Sequence, residues 1–186
     1  MRKILMITCL LVVLSPLAQA RDVAGVTFPD ELSADGGTLV LNGAGVRKRL
    51  VVTLYAAGLY LPTSTHTASD VLDQDHPMSI SLTILSGLVN SKKMEKAVRK
   101  GFKNATKGQL TALQSRIDQF VSVLREDISK RDAFQFTYIP GSGTRVLKNG
   151  EEKALIEGAD FKRALFGIWL SDKPVQGSLK DDLLGR

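Results

Sequence analysis

The stretch from Val46 to Leu61, VRKRLVVTLYAAGLYL, is rich in β-branched and aromatic residues and closes on Pro62. Such side chains pack well on a pleated surface, and proline has no N–H to continue a ladder, so the run predicts one long strand. Gly58 inside it marks a bulge or a close approach by another part of the chain. With the two-residue period of a strand, Arg47, Arg49, Val51, Thr53 and Tyr55 fall on one face, a register that a bulge between them would break. Upstream, Gly36-Gly37 opens a short strand, Thr38 to Asn42, and Asn42-Gly43-Ala44-Gly45 reads as the turn that joins it to the long one.

Downstream the pattern changes twice. Met78 to Leu85 (MSISLTIL) is a further strand, and Ala133 to Ile139 (AFQFTYI) alternates as a strand should. Pro140-Gly141-Ser142-Gly143 turns it into Thr144 to Lys148, and Asn149-Gly150 turns that into Lys153 to Glu157. Between and after these strands lie helical patterns. Asn90 to Thr106 carries Met94, Ala97, Val98 and Phe102 on one stripe with lysines elsewhere, and Gly108 ends it. Leu110 to Ile128 and Ala159 to Leu170 follow, then Ser178 to Leu184 with Ser178 as N-cap and Gly185 beyond its end. Strands in a meander with helices on one face make a single α+β domain.

The 186 residues include 25 basic and 19 acidic side chains, a formal net charge of +6, with 44% apolar and 24% charged residues. That balance disfavours a disordered, collagen-like or multi-span membrane protein. The first residues, MRKILMITCLLVVLSPLAQA, show a basic start, an apolar run and a small-x-small ending at Ala18-Gln19-Ala20. This is the order of a secretory signal peptide over residues 1–20, leaving a domain over 21–186. The apolar run is too short for the ~20 residues of a spanning helix. Cleavage removes two basic residues, no acid and Cys9, the only cysteine, leaving 166 residues at a formal +4. The expected location is periplasmic or secreted, with no stable membrane insertion, no disulfide and no thiol chemistry.

Chemical motifs are sparse. There is no phosphate-binding glycine loop, no HExxH and no GxSxG. The two histidines, His66 and His76, lie in polar sequence and suggest neither a metal site nor a catalytic triad. No metal or organic cofactor is expected. The basic stretch from Lys92 to Lys103 reads either as an anion-facing surface or as a solvated helix face. Secretion and an aromatic content of 6% argue against nucleic acid. Arg47 stands apart, because a guanidinium at the mouth of an apolar cleft suits a carboxylate or phenolate. An arginine resting its stem on the sheet surface is the other reading of the same position.

Three blocks in order resemble one family. Asn42-Gly43-Ala44-Gly45-Val46-Arg47 leads to Tyr55-Ala56-Ala57-Gly58-Leu59-Tyr60-Leu61. Much later come Ile156-Glu157-Gly158 and Phe161-x-x-Ala164-Leu165-Phe166-Gly167-Ile168-Trp169-Leu170-Ser171-Asp172-Lys173-Pro174-Val175. Together they are similar to the chalcone isomerase family, in particular its bacterial, signal-peptide-bearing branch, over roughly Leu39 to Gly185. The resemblance implies an open-faced β-sandwich, a large antiparallel sheet with helices packed on one face. It also implies a site. The family's anion-binding arginine matches Arg47, one threonine falls on Tyr55 and a second on Ile168. The helical asparagine matches Asn104, and the tyrosine seven residues before it falls on Ala97.

Ile168 and Ala97 cannot donate hydrogen bonds, and loss of one donor to a developing anion can cost ~10²–10³ in rate. Tyr55 in its Tyr-Ala-x-Gly-x-Tyr context resembles instead the fatty-acid-binding branch, in which arginine and tyrosine hold a carboxylate. The expected function is therefore binding of a fatty acid or similar apolar carboxylate, or a phenolic ligand, with Arg47, Tyr55, Asn104 and Ile168 as ligand-binding residues. The alternative is an intramolecular lyase or isomerase on an unknown substrate, with Arg47 and Tyr55 catalytic. A third reading is an interaction module whose pocket is filled by its own side chains.

Overall fold

The structure, a computed structural model, describes residues 20–34 and 37–186. Except for Ala20, the expected signal peptide lies outside the described residues. Nine strands are described: β1 (Ala20–Val23), β2 (Val26–Pro29), β3 (Glu31–Ala34), β4 (Gly37–Arg49), β5 (Val52–Leu61), β6 (Met78–Ile84), β7 (Ala133–Ile139), β8 (Gly143–Lys148) and β9 (Glu151–Ile156). The helices are α1 (Ala68–Leu72), α2 (Ser91–Ala105), α3 (Gln114–Leu124), α4 (Ala159–Leu170) and α5 (Gly177–Leu183).

The stretch from Val46 to Leu61 is a correction to the sequence reading. It is the end of β4, a two-residue turn at Leu50-Val51, and then β5, with Arg49 opposite Val52. Nothing local announces this turn, because neither Leu50 nor Val51 is a residue that favours turns. Leu50 takes a positive φ of 52°, a conformation that glycine and asparagine adopt more readily. The supposed turn at Asn42-Gly43-Ala44-Gly45 is likewise no turn but the middle of β4. Asn42 is the extra residue of a bulge between Leu41 and Gly43. Its side chain donates to the Leu183 carbonyl (2.8 Å) and accepts from the Thr65 N–H (2.7 Å). A Cβ on Gly43 or Gly45 would collide with Asp182, so these glycines let the end of α5 lie directly on the strand.

Seven strands form one antiparallel sheet in the order β3-β4-β5-β6-β7-β8-β9, every strand beside its sequence neighbour, while β1 and β2 make a separate hairpin. One face carries the helices. There Leu59, Ile80, Phe136 and Val146 are buried with Phe102 of α2, Phe120 of α3 and Phe161 of α4. The three helical rings meet at centroid distances of 5.6–6.0 Å. The opposite face is partly covered by the β1–β2 hairpin, whose Phe28 packs with Ala44 and Ala56. Gly58 serves the close approach: a Cβ there would stand 2.7 Å from the Phe28 ring.

Beta strand β7 and helix α4 fall on the residues expected of them. The segment from Leu110 to Ile128 is instead a short 3₁₀ turn at Thr111–Leu113 and then α3, ending at Leu124. The last helix starts at Gly177, with Gln176 rather than Ser178 at the N-cap position. Asn90 caps α2, accepting from the Lys93 N–H at 3.0 Å. Helices α2 and α4 pack through small residues. A Cβ on Gly101 would stand 2.8 Å from Ile168, and one on Gly167 2.9 Å from Ala105. This close crossing sets where α2 stands over the end of the sheet.

Candidate functional site

Arg47 and Tyr55 are direct cross-strand partners on β4 and β5. Paired residues on antiparallel strands project to the same side, so the hairpin itself juxtaposes them. The register slips immediately afterwards, with Lys48 opposite Thr53 and Leu54 as the extra residue. Arg47, Leu54 and Tyr55 all line a cleft of about 800 Å³ between the hairpin and α2, floored by Ile168 and Trp169 of α4. That volume is in the range of small-molecule sites. The space beside Arg47 is open and not filled by the protein's own side chains.

Tyr55 is buried, and its hydroxyl accepts a hydrogen bond from Trp169 Nε1 at 3.1 Å. A buried indole N–H needs such a partner, and this one leaves the phenol's own proton free to donate. Burial pushes the Tyr55 pKa up to about 12, against the downward pull of the Trp169 hydrogen bond and the Arg47 charge. The hydroxyl is therefore a neutral donor across the physiological range.

Arg47 is half-buried and held from one side. Its Nη1 donates to Gln176 Oε1 (3.0 Å) and to the Lys48 carbonyl (2.9 Å). Gln176 is itself fastened to β4, accepting from the Lys48 N–H at 2.9 Å and donating to the Val46 carbonyl at 3.2 Å. The guanidinium makes no ion pair among the described residues, and Nε and Nη2 keep their hydrogens unused. Around these groups the walls are aliphatic, with Leu82, Val89, Met94 and Val98 among them, and among the described residues no Asp, Glu or His lines the cleft. Lysines 93, 96 and 100 of α2 and Arg49 stand at its rim.

Of the residues expected from sequence, Arg47, Tyr55 and Ile168 share the cleft, and Ala97 lines it as well. Asn104, in the last turn of α2, is not among the lining residues. Trp169 and Gln176 were missed. The indole N–H was a usable signal for Trp169, since a buried tryptophan implies an acceptor nearby, whereas nothing around Gln176 marks it. The histidines serve loops elsewhere: His66 Nδ1 lies 2.7 Å from the Leu184 carbonyl, and His76 faces the carbonyls of Pro77 and Asp70. Among the described residues, no three His, Cys, Asp or Glu side chains gather as a metal site.

The profile of the chalcone isomerase-like family matches residues 20–185. The chain belongs to this family. A search of curated proteins found no match. Among solved structures, a fatty-acid binding protein of Arabidopsis thaliana is similar, with a TM-score of 0.67 and 19% identity. The likeness covers 86% of this chain and 92% of that one. It supports the fold: a curled antiparallel sheet with helices packed on it. In this chalcone isomerase-like chain the cleft is lined by the tip of the β4–β5 hairpin and by α2 from Lys93 to Lys100.

Proposed function

We propose that this chalcone isomerase-like protein binds a fatty acid or a similar apolar carboxylate, with the head group on Arg47 and Tyr55 and the chain along the aliphatic walls. One observation carries the reading: among the described residues, a guanidinium without an ion pair and a neutral phenol with a free proton sit side by side in a cleft with aliphatic walls, basic side chains and no acid. A carboxylate accepts from both, and charge-assisted hydrogen bonds of this kind are the strong ones. The fatty-acid binding protein of the same fold adds support. A phenolic ligand uses the same two donors.

Binding without conversion has the better support. Proton transfer near neutrality is best served by a group that titrates there. Tyr55, its pKa pushed up to about 12 by burial, is protonated near neutrality, and among the described residues neither a histidine nor a carboxylate lines the cleft. The two positions at which the family resemblance calls for hydrogen-bonding side chains, 97 and 168, hold alanine and isoleucine and face the cleft. We further propose that the protein works in the periplasm or outside the cell, on the signal-peptide pattern of residues 1–20. N-terminal sequencing of the protein from a periplasmic fraction should then begin at Arg21.

The test is titration of the purified protein with cis-parinarate, a fluorescent fatty acid, beside solvent extraction and mass spectrometry for a co-purified lipid. Binding should weaken about tenfold or more in Arg47→Ala, the loss of one hydrogen-bonded charge. No bound lipid together with unchanged affinity in Arg47→Ala would overturn the proposal. Turnover of a chalcone that Arg47→Ala abolishes would establish the isomerase reading in its place.

A further inference from the structure

We propose that the mouth of the cleft docks on an anionic lipid bilayer, with the β4–β5 hairpin tip entering the boundary between head groups and acyl chains. The proposal deepens the ligand reading, since it names the surface from which an apolar carboxylate reaches Arg47.

The first observation is where the exposed apolar side chains are. Among the described residues, four large ones are exposed: Leu50 at 93%, Val51 at 95%, Leu88 at 55% and Leu155 at 42%. Three of the four, Leu50, Val51 and Leu88, line this one opening. Scattered exposed aliphatics need no explanation, but three around one opening form a patch.

The second is the backbone beneath them. A two-residue hairpin turn with a positive φ at its first central residue alone favours glycine there. Here leucine holds the left-handed φ of 52° and valine follows it, both projecting into solvent. The choice works against local conformational preference and gains no packing within the chain, so its benefit lies outside the chain.

The third is charge. Among the described residues, Arg49, Lys93, Lys96 and Lys100 line the opening, none of them in an ion pair, and no acid lines it; Lys93 Nζ donates to the Leu88 carbonyl at 2.9 Å. The single acid of α2, Glu95, is engaged by Arg99 and Arg125. A small protruding aliphatic patch within a ring of exposed cations fits a fluid anionic surface better than a shaped protein partner. The tips insert, while lysines reach outward to the head groups. The cleft opens at that same face, so a carboxylate lipid can pass from bilayer to Arg47 with its chain shielded from water.

Flotation of the purified mature protein with vesicles of phosphatidylglycerol and phosphatidylcholine, against phosphatidylcholine alone, decides it. The protein should float with the anionic vesicles, and added salt should weaken the association. Leu50→Gly combined with Val51→Asn suits a turn in which the first residue alone has a positive φ, so its thermal melt should match or exceed that of the parent. It should lose about tenfold or more of the vesicle partition, as the insertion of two aliphatic side chains is removed. Lys96→Gln and Lys100→Gln should each lower partition about fivefold. Failure to float with anionic vesicles overturns the proposal, as does equal flotation of a folded Leu50→Gly/Val51→Asn protein. Capture of an acidic protein without vesicle binding overturns it in favour of a protein partner. Parinarate titration without vesicles keeps the two readings separate. Binding of parinarate with no flotation removes docking alone, and flotation without parinarate binding supports docking while removing the ligand reading.

Discussion

Two cation–tyrosine pairs flank the helical core of this protein, and they are used differently. Tyr55 lies opposite Ile84 and Tyr138 opposite Met78, the two ends of β6. Helix α4 serves both, with Lys162 in its first turns and Trp169 near its last. At the Tyr138 end, Lys162 Nζ donates to the carbonyls of Leu72 (3.1 Å) and Gln74 (2.7 Å) and lies 5.2 Å from the Tyr138 ring centre. The Tyr138 hydroxyl donates to Asp75 Oδ1 at 2.5 Å. Burial lowers the Lys162 pKa, against the raising influence of Asp75. Its polar groups are satisfied by the chain itself, and the result is a brace on the loop after α1. At the Tyr55 end, Arg47 keeps two donor nitrogens unused, Tyr55 keeps its proton, and a cleft stands open beside them. Composition is nearly the same in the two pairs. Unspent hydrogen-bonding capacity facing a cleft is what separates a receptor from a brace.

The comparison can be broken most directly at Lys162. Lys162→Ala strips two carbonyls of their donor, and we expect a stability loss of about 2–3 kcal/mol by urea denaturation with parinarate affinity unchanged. An unaltered unfolding midpoint would mean that Lys162 braces nothing. Arg47→Ala should give the mirror image, with affinity lost but stability shifted by about 1 kcal/mol or less in the same experiment.

The hydroxyls sharpen the contrast at a smaller scale. Tyr138→Phe removes the bond to Asp75 and should cost about 1 kcal/mol of stability, with no effect on ligand. Tyr55→Phe leaves the Trp169 N–H without its acceptor, which should cost about 1–2 kcal/mol, and it should also weaken parinarate binding about fivefold. Equal ligand effects from the two substitutions would erase the distinction between the two ends.

The smallest signal is one of pH. All three tyrosines, Tyr55, Tyr60 and Tyr138, have pKa values pushed from 10.0 up to about 12, by burial first in each case. Asp30 adds to the rise at Tyr60, and Asp75 at Tyr138. A pKa raised by folding means that the native state holds its proton more tightly than the unfolded chain does. Stability is therefore intact below pH 10 and falls as pH rises from 10 towards 12. Tyrosinate absorbance should stay low at pH 10 and rise only near 12 or on unfolding. A tyrosinate signal at pH 10 with native circular dichroism would contradict the burial of these hydroxyls.

Much of the sheet and helix layer was legible from local pattern. Ala133 to Ile139 alternates because one face of the strand is buried, and Ala159 to Leu170 shows its helical period because one stripe meets the core. The hairpin was not legible, since Leu50-Val51 lacks turn chemistry and joins two runs that read as one. The glycines of β4 misled for a different reason. Glycine serves turns and close approaches alike, and the residue that needs the approach, Asp182, lies at the far end of the chain. The separation also concealed the partners of the site: Trp169 reaches Tyr55 across 114 residues, and Gln176 reaches Arg47 across 129.

The sequence by itself determined the strand and helix repertoire, the family to which the chain belongs, and the singling out of Arg47, because periodicity, motif order and a charge amid apolar residues are all local properties. Only the tertiary structure decided that Arg47 and Tyr55 are cross-strand neighbours, that a cleft stands open beside them, and that the cation of one pair is spent on the chain's own carbonyls while that of the other keeps two nitrogens unspent. The turn that pairs Arg47 with Tyr55 has no local signature, and the partners that satisfy or hold them, Trp169 and Gln176, lie more than a hundred residues away, outside any local window.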